Sequence, residues 1–190
     1  QTLDISINKT ALAKEEKTNV YIVGGFVRDL FLSRGQEKDI DFVVEGSGIV
    51  FAEKFDKTMK EAGRLLTFPD FDTARYLFLD ENNKTLLELE FAGARTEKYD
   101  KNSRKPKVQS TSLEQDLSRR DFTVNAMALD VRNYEQIRNY ELNKNDIIDP
   151  FGGQKDLKDG ILRTPLDPNI TFFDDPLRML RAARFAAQLQ

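Results

Sequence analysis

The sequence has 190 residues, of which 39% are hydrophobic and 32% charged, and its formal net charge at pH 7 is −3. This length allows one buried core, or one domain and part of a second. The chain contains no cysteine and no histidine, which excludes disulfides, thiolate or histidine metal sites and an imidazole base, and points away from catalytic triads and zinc hydrolysis. Carboxylates, cationic side chains, hydroxyls and bound metal remain, and they favour magnesium-assisted phosphoryl transfer.

The sequence predicts a cytoplasmic protein with no membrane partner. No apolar stretch is long enough to span a bilayer, and residues 1–17 lack the apolar core of a signal peptide. The net negative charge argues against a nucleic-acid interface over the whole surface. The basic strip Lys101 to Lys107 is either a local contact for a nucleic-acid backbone or a solvated loop.

The first predicted elements surround a pair of glycines. An apolar segment, residues 20–23, precedes Gly24 and Gly25, and residues at helical spacing follow until Gly35. Glycines at a helix N-terminus let backbone N–H groups approach an anion closely. The pattern therefore predicts a phosphate-binding turn at Gly24 and Gly25, to which Arg28 adds a fork of donors.

Two aspartates lie in the next predicted strand, Asp-Ile-Asp-Phe at residues 39–42. Because side chains alternate along a strand, Asp39 and Asp41 share one face. Two carboxylates placed in this way offer oxygen ligands to one or two Mg²⁺ ions that carry a nucleotide's phosphates. Taken singly, the glycines could form a hairpin turn and the aspartates could face water on an edge strand. At this spacing, the two features together favour a nucleotidyl-transfer site.

A helix over Ile49 to Ala62 and a hairpin of strands at 74–79 and 85–91 are predicted next. In the second strand, apolar residues alternate with Glu88 and Glu90, so one acidic side chain can reach the two aspartates. Glu90 is the preferred third catalytic carboxylate, and Glu88 is the alternative. Both glutamates could equally face only water.

The chain from Gly93 to Ser112 is polar and aperiodic, which is typical of a long flexible loop. The block from Leu113 to Asp130 then combines apolar positions with polar residues that suit a nucleotide. Guanidinium suits phosphate, so Arg120 is a candidate phosphate contact, and Asp121 and Asn125 are candidate sugar contacts. The alternative for this block is a helix cap with a salt bridge.

A turn at residues 149–153 and a short helix at 154–158 indicate a domain boundary, which gives units at 1–152 and 153–190. The last predicted helix covers residues 174–187, with Asp175 at its cap position. Arginines recur there at every third residue, where they could grip a triphosphate while Asp175 reads a base edge; they are Arg178, Arg181 and Arg184. The apolar residues expected to face a core are Leu177, Leu180 and Phe185.

Together these blocks resemble the bacterial class II tRNA nucleotidyltransferase and poly(A) polymerase family, within the polymerase-β nucleotidyltransferase superfamily. The glycine pair, thirteen intervening residues and Asp-x-Asp resemble the superfamily signature. Arg-Arg-Asp-Phe-Thr-Val-Asn-Ala at 119–126 resembles the family's second motif. Asp-Pro-Leu-Arg at 175–178 resembles the motif that templates the incoming base.

The resemblance implies an α+β fold, in which a small mixed β-sheet head flanked by helices is followed by the start of an all-α neck. It implies Mg²⁺ bound by Asp39 and Asp41, with Asp41 as a candidate proton acceptor and Asp121 as a ribose contact. The residues it places on the nucleotide are Gly25, Arg28, Arg120, Asp175, Arg178, Arg181 and Arg184.

The implied reaction is attack by an RNA 3′-hydroxyl on the α-phosphate of CTP or ATP, with release of pyrophosphate. The leading interpretation is CCA addition to tRNA 3′ ends, and the alternatives with the same chemistry are poly(A) polymerase and an enzyme that adds only C or only A. A non-catalytic nucleotide-binding fragment is the alternative of another class. Members of the family carry further helices that bind tRNA, and this sequence ends before them, so the affinity of this chain for tRNA is expected to be weak, because phosphate contacts dominate such binding.

Overall fold

The computed structural model describes residues 17–32, 38–60, 62–98, 107–133 and 144–189. The predicted helix end at Gly35 and all but the last residue of the basic strip Lys101 to Lys107 lie outside these ranges. Within them, no helix combines the length and the apolar character needed to cross a lipid bilayer.

The described part contains nine strands and six α-helices, with short 3₁₀ turns between them. The strands are β1 Val20–Val23, β2 Asp39–Val44, β3 Arg64–Phe68, β4 Thr73–Leu79, β5 Thr85–Gly93, β6 Arg95–Lys98, β7 Lys107–Ser110, β8 Ala128–Asp130 and β9 Ile147–Ile148. The helices are α1 Gly25–Phe31, α2 Gly48–Thr58, α3 Leu113–Ser118, α4 Gly153–Asp159, α5 Pro168–Asp174 and α6 Leu177–Gln188.

Seven strands form one mixed sheet in the order β3-β4-β5-β2-β1-β8-β9, and β6 pairs with β7 separately. Strands β2 and β5 run parallel, while the other neighbours in the sheet run antiparallel. This arrangement confirms the predicted α+β class with a mixed sheet flanked by helices. The parallel pair matters most for the site, because it joins the strand of the two aspartates to the strand of Glu90.

Helix α2 covers one face of the sheet. Phe51 and Phe55 pack on Phe91, which stacks on Phe42 with ring centroids 5.0 Å apart. These side chains belong to the main buried cluster, and burial of aromatic rings supplies a large share of the stability of such a core. Because side chains alternate, Asp41, the neighbour of Phe42, points to the opposite face.

The C-terminal segment packs against the 3₁₀ turn Thr123–Asn125. A Cβ atom on Gly153 would lie 2.2 Å from the carbonyl oxygen of Thr123, so α4 and this turn touch through backbone. The hydroxyl of Thr123 donates to Asp156 at 2.8 Å, and both residues are buried. The division between residues 152 and 153 stays a prediction.

Several sequence-based element predictions need correction. Helix α2 ends at Thr58 rather than Ala62. Strand β3 was not predicted, because Arg-Leu-Leu-Thr-Phe lacks clean alternation and forms an edge strand. The segment from Gly93 to Ser112, predicted as a loop, contains the ladder between β6 and β7.

The final helix also begins later than predicted. Asp174 is the last residue of α5, a helix that was not predicted and whose N-terminus is capped by Asp167. The expectation that Leu177 and Leu180 face a core is wrong, since they are 65% and 70% exposed. Phe185, at 5% exposure, is the one buried residue of α6.

Candidate nucleotide and metal site

Gly24 holds the turn between β1 and α1 in a conformation that requires glycine. Its φ is 76° and its ψ is −139°, which is a region that other residues avoid. A Cβ atom at this position would lie 3.2 Å from Nη1 of Arg120 and 3.4 Å from Oδ2 of Asp41. The turn therefore lies directly beside a guanidinium and a carboxylate of the predicted site.

Four carboxylates share one face of the β2–β5 pair. In register, Asp39 is opposite Glu88 and Asp41 is opposite Glu90, and paired residues on neighbouring strands point to the same side. We call these four residues the acid face. Glu90 is thus next to Asp41, on the strand from which the sequence predicts the third carboxylate.

Desolvation, together with the negative charge of the acid face, raises the pKa of Asp41. Desolvation within the concave site is the largest cause, and the negative charges of Glu90, Asp39 and Glu88 add to it, whereas Arg120 acts in the opposite direction. A carboxyl in this position is stabilised by any additional positive charge. The chemistry of the acid face therefore suits a divalent cation held by Asp39 and Asp41.

Glu90 is bound by a cation of the protein itself. Nε of Arg75 lies 2.8 Å from Oε2 of Glu90 and 3.2 Å from Oε1 of Glu88. The hydrogen bond to Glu90 is the main reason that the pKa of Arg75 is raised. Within the described ranges, no three acidic side chains are already arranged as a metal-binding group. Glu90 as a third catalytic carboxylate stays a prediction.

Arg28 lies at the centre of a buried polar network. Its Nε and Nη2 donate to both carboxylate oxygens of Asp29 at 2.8 and 2.7 Å, and its Nη1 donates to Asn125 at 2.8 Å. Nδ2 of Asn125 in turn donates to Oδ1 of Asp121 at 3.0 Å. These contacts fix the plane of the Arg28 guanidinium, and sequence reasoning gives no role to Asp29.

Asp121 connects this network to α6. Nε and Nη2 of Arg181 contact Oδ2 of Asp121 at 2.8 and 2.7 Å. Oδ1 accepts from the backbone N–H of Phe122 and from Asn125. A carboxylate offers about four acceptor positions, so these four contacts use all of those of Asp121.

Arg178 is oriented by backbone carbonyl groups. Its Nη2 donates to the carbonyl of Arg119 at 2.7 Å, and its Nη1 donates to that of Thr171 at 3.3 Å. Oδ1 of Asp175 accepts from the backbone N–H of Leu177 at 3.0 Å. Asp175 therefore satisfies the first backbone N–H of α6, although the N-cap residue is Pro176 and not Asp175, the residue that the sequence predicted.

Arg120 is oriented by the buried carboxylate of Asp116. Its Nη2 lies 3.2 Å from Oδ2 of Asp116, whose other oxygen binds Arg119. Nε of Arg120 is buried without a hydrogen-bond partner. The Arg120 guanidinium lies beside Gly24 and acts electrostatically on Asp41. Sequence spacing alone could not show this placement.

These elements enclose a cavity of about 570 Å³. Its lining contains all ten predicted nucleotide-binding residues, together with Asp41, Phe185 and Gln188; the ten are Gly24, Gly25, Arg28, Arg120, Asp121, Asn125, Asp175, Arg178, Arg181 and Arg184. Five arginines against three aspartates make the lining cationic. Asp39 and Glu90 lie outside it, on the adjoining acid face. The sequence analysis missed Gln188, which lies one helical turn after Arg184.

Comparison with known proteins agrees with this arrangement. Residues 20–163 match the family model described as the poly A polymerase head domain. The chain belongs to this family. The poly A polymerase head domain covers the whole mixed sheet and α4, and it ends before α5 and α6.

The relatives of this head domain are tRNA nucleotidyltransferases, which confirms the predicted enzyme family. The chain is 44% identical over 169 residues to the A-adding tRNA nucleotidyltransferase of Aquifex aeolicus, covering 89% of the chain and 18% of that protein. It is similar to a CCA-adding enzyme solved with ATP (34% identity, TM-score 0.74), covering 99% of the chain and 38% of that structure. It is also similar to a tRNA nucleotidyltransferase solved with a primer tRNA and an ATP analogue (37% identity, TM-score 0.69), covering 94% of the chain and 44% of that structure. The chain therefore spans less than half the length of these proteins.

Proposed function

We propose that this chain is the nucleotidyl-transfer part of a tRNA nucleotidyltransferase that adds CMP or AMP, from CTP or ATP, to tRNA 3′ ends. The observation that carries the proposal is the cavity in which a glycine turn, a carboxylate of the acid face and five arginines converge. The relatives named above support it, since they include an A-adding enzyme and a structure with ATP. CCA addition is the leading specificity, and A-only, CC-only and poly(A) addition remain the alternatives.

The triphosphate is assigned to the cationic part of the cavity. Guanidinium groups form charge-assisted, often bidentate hydrogen bonds to phosphate; Arg28 and Arg120 line the cavity with Gly24, and Arg120 lies beside the turn. Arg178 and Asp175 are assigned to the base. Asp121 is assigned the role of holding Arg181 and Asn125 rather than of contacting ribose directly, because its acceptor positions are already used.

Asp39 and Asp41 are assigned to Mg²⁺. When bound there, the metal would act as a Lewis acid that promotes deprotonation of the RNA 3′-hydroxyl and offsets charge on the phosphate. The raised pKa of Asp41 fits this assignment, since desolvation and the neighbouring carboxylates disfavour its charged form, which a bound cation would stabilise. Asp41 also remains the candidate proton acceptor for the hydroxyl.

Calorimetric titration with each of the four ribonucleoside triphosphates, with and without Mg²⁺, tests the proposal. Binding of CTP and ATP, but not GTP or UTP, would support CCA addition, whereas binding of ATP alone would favour A-only or poly(A) addition. The absence of binding by all four would contradict the proposal.

A transfer assay separates an enzyme from a nucleotide-binding module. The chain is incubated with labelled ATP and a tRNA ending in CC, beside a variant with Asp39→Asn and Asp41→Asn. Label incorporation by the wild type and its loss in the variant is the expected result. Tight nucleotide binding without any incorporation, at tRNA concentrations that saturate, would favour the non-catalytic module.

A further inference from the structure

Arg75 occupies an unusual place beside the predicted metal site. It lies on β4, directly opposite Glu90, which lies opposite Asp41 on β2. The three residues form one row across three neighbouring strands, with their side chains on the same face of the sheet. Two strand spacings, roughly 9–10 Å, separate the backbones of Arg75 and Asp41.

The guanidinium of Arg75 bridges both glutamates of the acid face. A single nitrogen, Nε, contacts Glu90 at 2.8 Å and Glu88 at 3.2 Å. The Arg75 side chain is 46% exposed, so the bridge is screened by water and is worth little as a contribution to stability. The contact has a clearer consequence for charge, because it holds one positive charge against two of the four carboxylates.

We infer that Arg75 is a resident counter-cation of the acid face, which competes with a divalent metal ion for Glu90 and Glu88 and thereby weakens metal binding. The inference rests on the proposed function, in which Asp39 and Asp41 hold Mg²⁺. The hydrogen bond from Arg75 engages Oε2 of Glu90, so this oxygen can bind the metal only when the hydrogen bond is released. Bidentate ligation by Glu90 therefore requires Arg75 to move away, and without such movement Glu90 offers the metal at most its other oxygen, beside the charge of Arg75.

Mn²⁺ titration of the nucleotide-free chain at fixed ionic strength, followed by the electron paramagnetic resonance signal of free Mn²⁺, measures this competition directly. Arg75→Gln should lower the Mn²⁺ dissociation constant by on the order of tenfold, because it removes a unit charge within roughly 10 Å of a divalent ion. Arg75→Lys keeps the charge and should stay within about twofold of wild type on the same electrostatic ground.

Arg132→Gln provides a matched control. Its side chain is 45% exposed and pairs with Asp130, and the other titratable groups near it are Tyr21 and Glu45 rather than the acid face. This variant loses the same charge as Arg75→Gln and should leave the Mn²⁺ dissociation constant unchanged. The double variant Arg75→Gln with Glu90→Gln should lose most of the gain, because the freed ligand is then absent.

Each result decides between the inference and its alternatives. Unchanged or weaker Mn²⁺ binding by Arg75→Gln would overturn the inference, and weaker binding would mean that Arg75 instead holds Glu90 in a ligating position. If wild-type binding is lost in Asp39→Asn with Asp41→Asn, the assignment of the metal to these two aspartates stands in either case. Absence of Mn²⁺ binding by the wild type and by Arg75→Gln would overturn both the inference and that assignment.

Discussion

The acid face and the arginines of the cavity are positioned by different physical means. Strand pairing alone sets the spacing of the acid face, and the rings of Phe42 and Phe91 stack beneath it in the buried core. The arginines come from α1, the turn after α3 and α6, and side-chain contacts bring them together. Helix α6, which carries three of them, has one buried residue, Phe185. The acid face is therefore fixed once the sheet forms, whereas the three arginines of α6 depend on how that helix docks.

The largest expected effect follows from breaking the acid face alone. A variant with Asp39→Asn and Asp41→Asn should lose at least about a hundredfold in Mn²⁺ affinity, since even outer partners of metal ligands are worth up to that factor. Its affinity for ATP without metal should not fall, because the arginines are untouched and two negative charges are removed. Calorimetry with and without metal measures both quantities. A parallel loss of metal-free ATP binding would show that the two parts of the site are not independent.

Disrupting the packing of α6 should have the opposite effect: it should weaken ATP binding and leave Mn²⁺ binding by the acid face unchanged. Phe185 packs edge to face on Phe122 with ring centroids 5.8 Å apart, and guanidinium carbons of Arg28 and Arg181 lie 5.3 Å from its centroid. Phe185→Ala should cost about 3–5 kcal/mol in local stability. Hydrogen exchange should report lost protection in α6 and retained protection in β2 and β5.

Leu180→Ala is the matched control for that experiment, because this side chain lies on the same helix and is 70% exposed. It should leave both exchange and ATP affinity close to wild type. Uniform loss of protection throughout the sheet in Phe185→Ala would contradict the proposed separation, since it would mean that α6 and the acid face unfold as one unit.

The same contrast explains which parts of the molecule could be predicted from sequence. Strand alternation is a local property, so the shared face of Asp39 and Asp41 and the hairpin that carries Glu90 follow from spacing. The motifs also identified ten of the thirteen residues that line the cavity, but not Gln188. Their partners could not be identified in this way, because the contact between Asp121 and Arg181 joins residues sixty positions apart, and the bridge from Arg75 to Glu90 depends on a strand register.

The error in α6 has a related cause. Leu177 and Leu180 fit an apolar stripe, and such a stripe predicts burial only when another element covers it. Within the described residues the covered side of the helix is that of Phe185, which clusters with Phe122 and Val124 and with partly buried residues of α4, α5 and the segment between them. Sequence periodicity identified the helix, but not which of its sides packs against the head.

A smaller effect is expected at Gly24, the point where the two parts of the site meet. Gly24→Ala combines an unfavourable backbone conformation with a Cβ atom 3.2 Å from Arg120 and 3.4 Å from Asp41. Strain of this kind costs about 1–3 kcal/mol, and ATP affinity, measured by calorimetry, should fall by roughly tenfold as Arg120 shifts.

Gly152 offers a control at positive φ outside the site, although its ψ of 29° lies in the left-handed helical region and differs from the −139° of Gly24. Its φ is +74°, close to the +76° of Gly24, and a Cβ atom added to it would have no neighbouring atom within 4 Å. Gly152→Ala should therefore reduce stability without changing ATP affinity. Equal loss of ATP affinity in both variants would mean that the Gly24 turn acts only through the fold.

The smallest effect is a dependence of stability on pH that belongs to Asp41. Its pKa is raised from 3.8 chiefly by desolvation, so the folded chain binds this proton more strongly than the unfolded chain does. The sign follows from linkage: as the pH rises from 3.8 through the raised pKa, ionisation of Asp41 lowers the free energy of unfolding. Asp41→Asn should be more stable than wild type at pH 7, and this advantage should disappear as the pH falls towards 3.8.

Urea unfolding from about pH 4 to pH 8 measures the difference in the free energy of unfolding between the two proteins. Asp159→Asn is the control, because the pKa of Asp159 is lowered by Lys155 and its loss should not stabilise the chain. A variant that gains nothing at pH 7 would show that water, rather than protein, surrounds the Asp41 carboxylate.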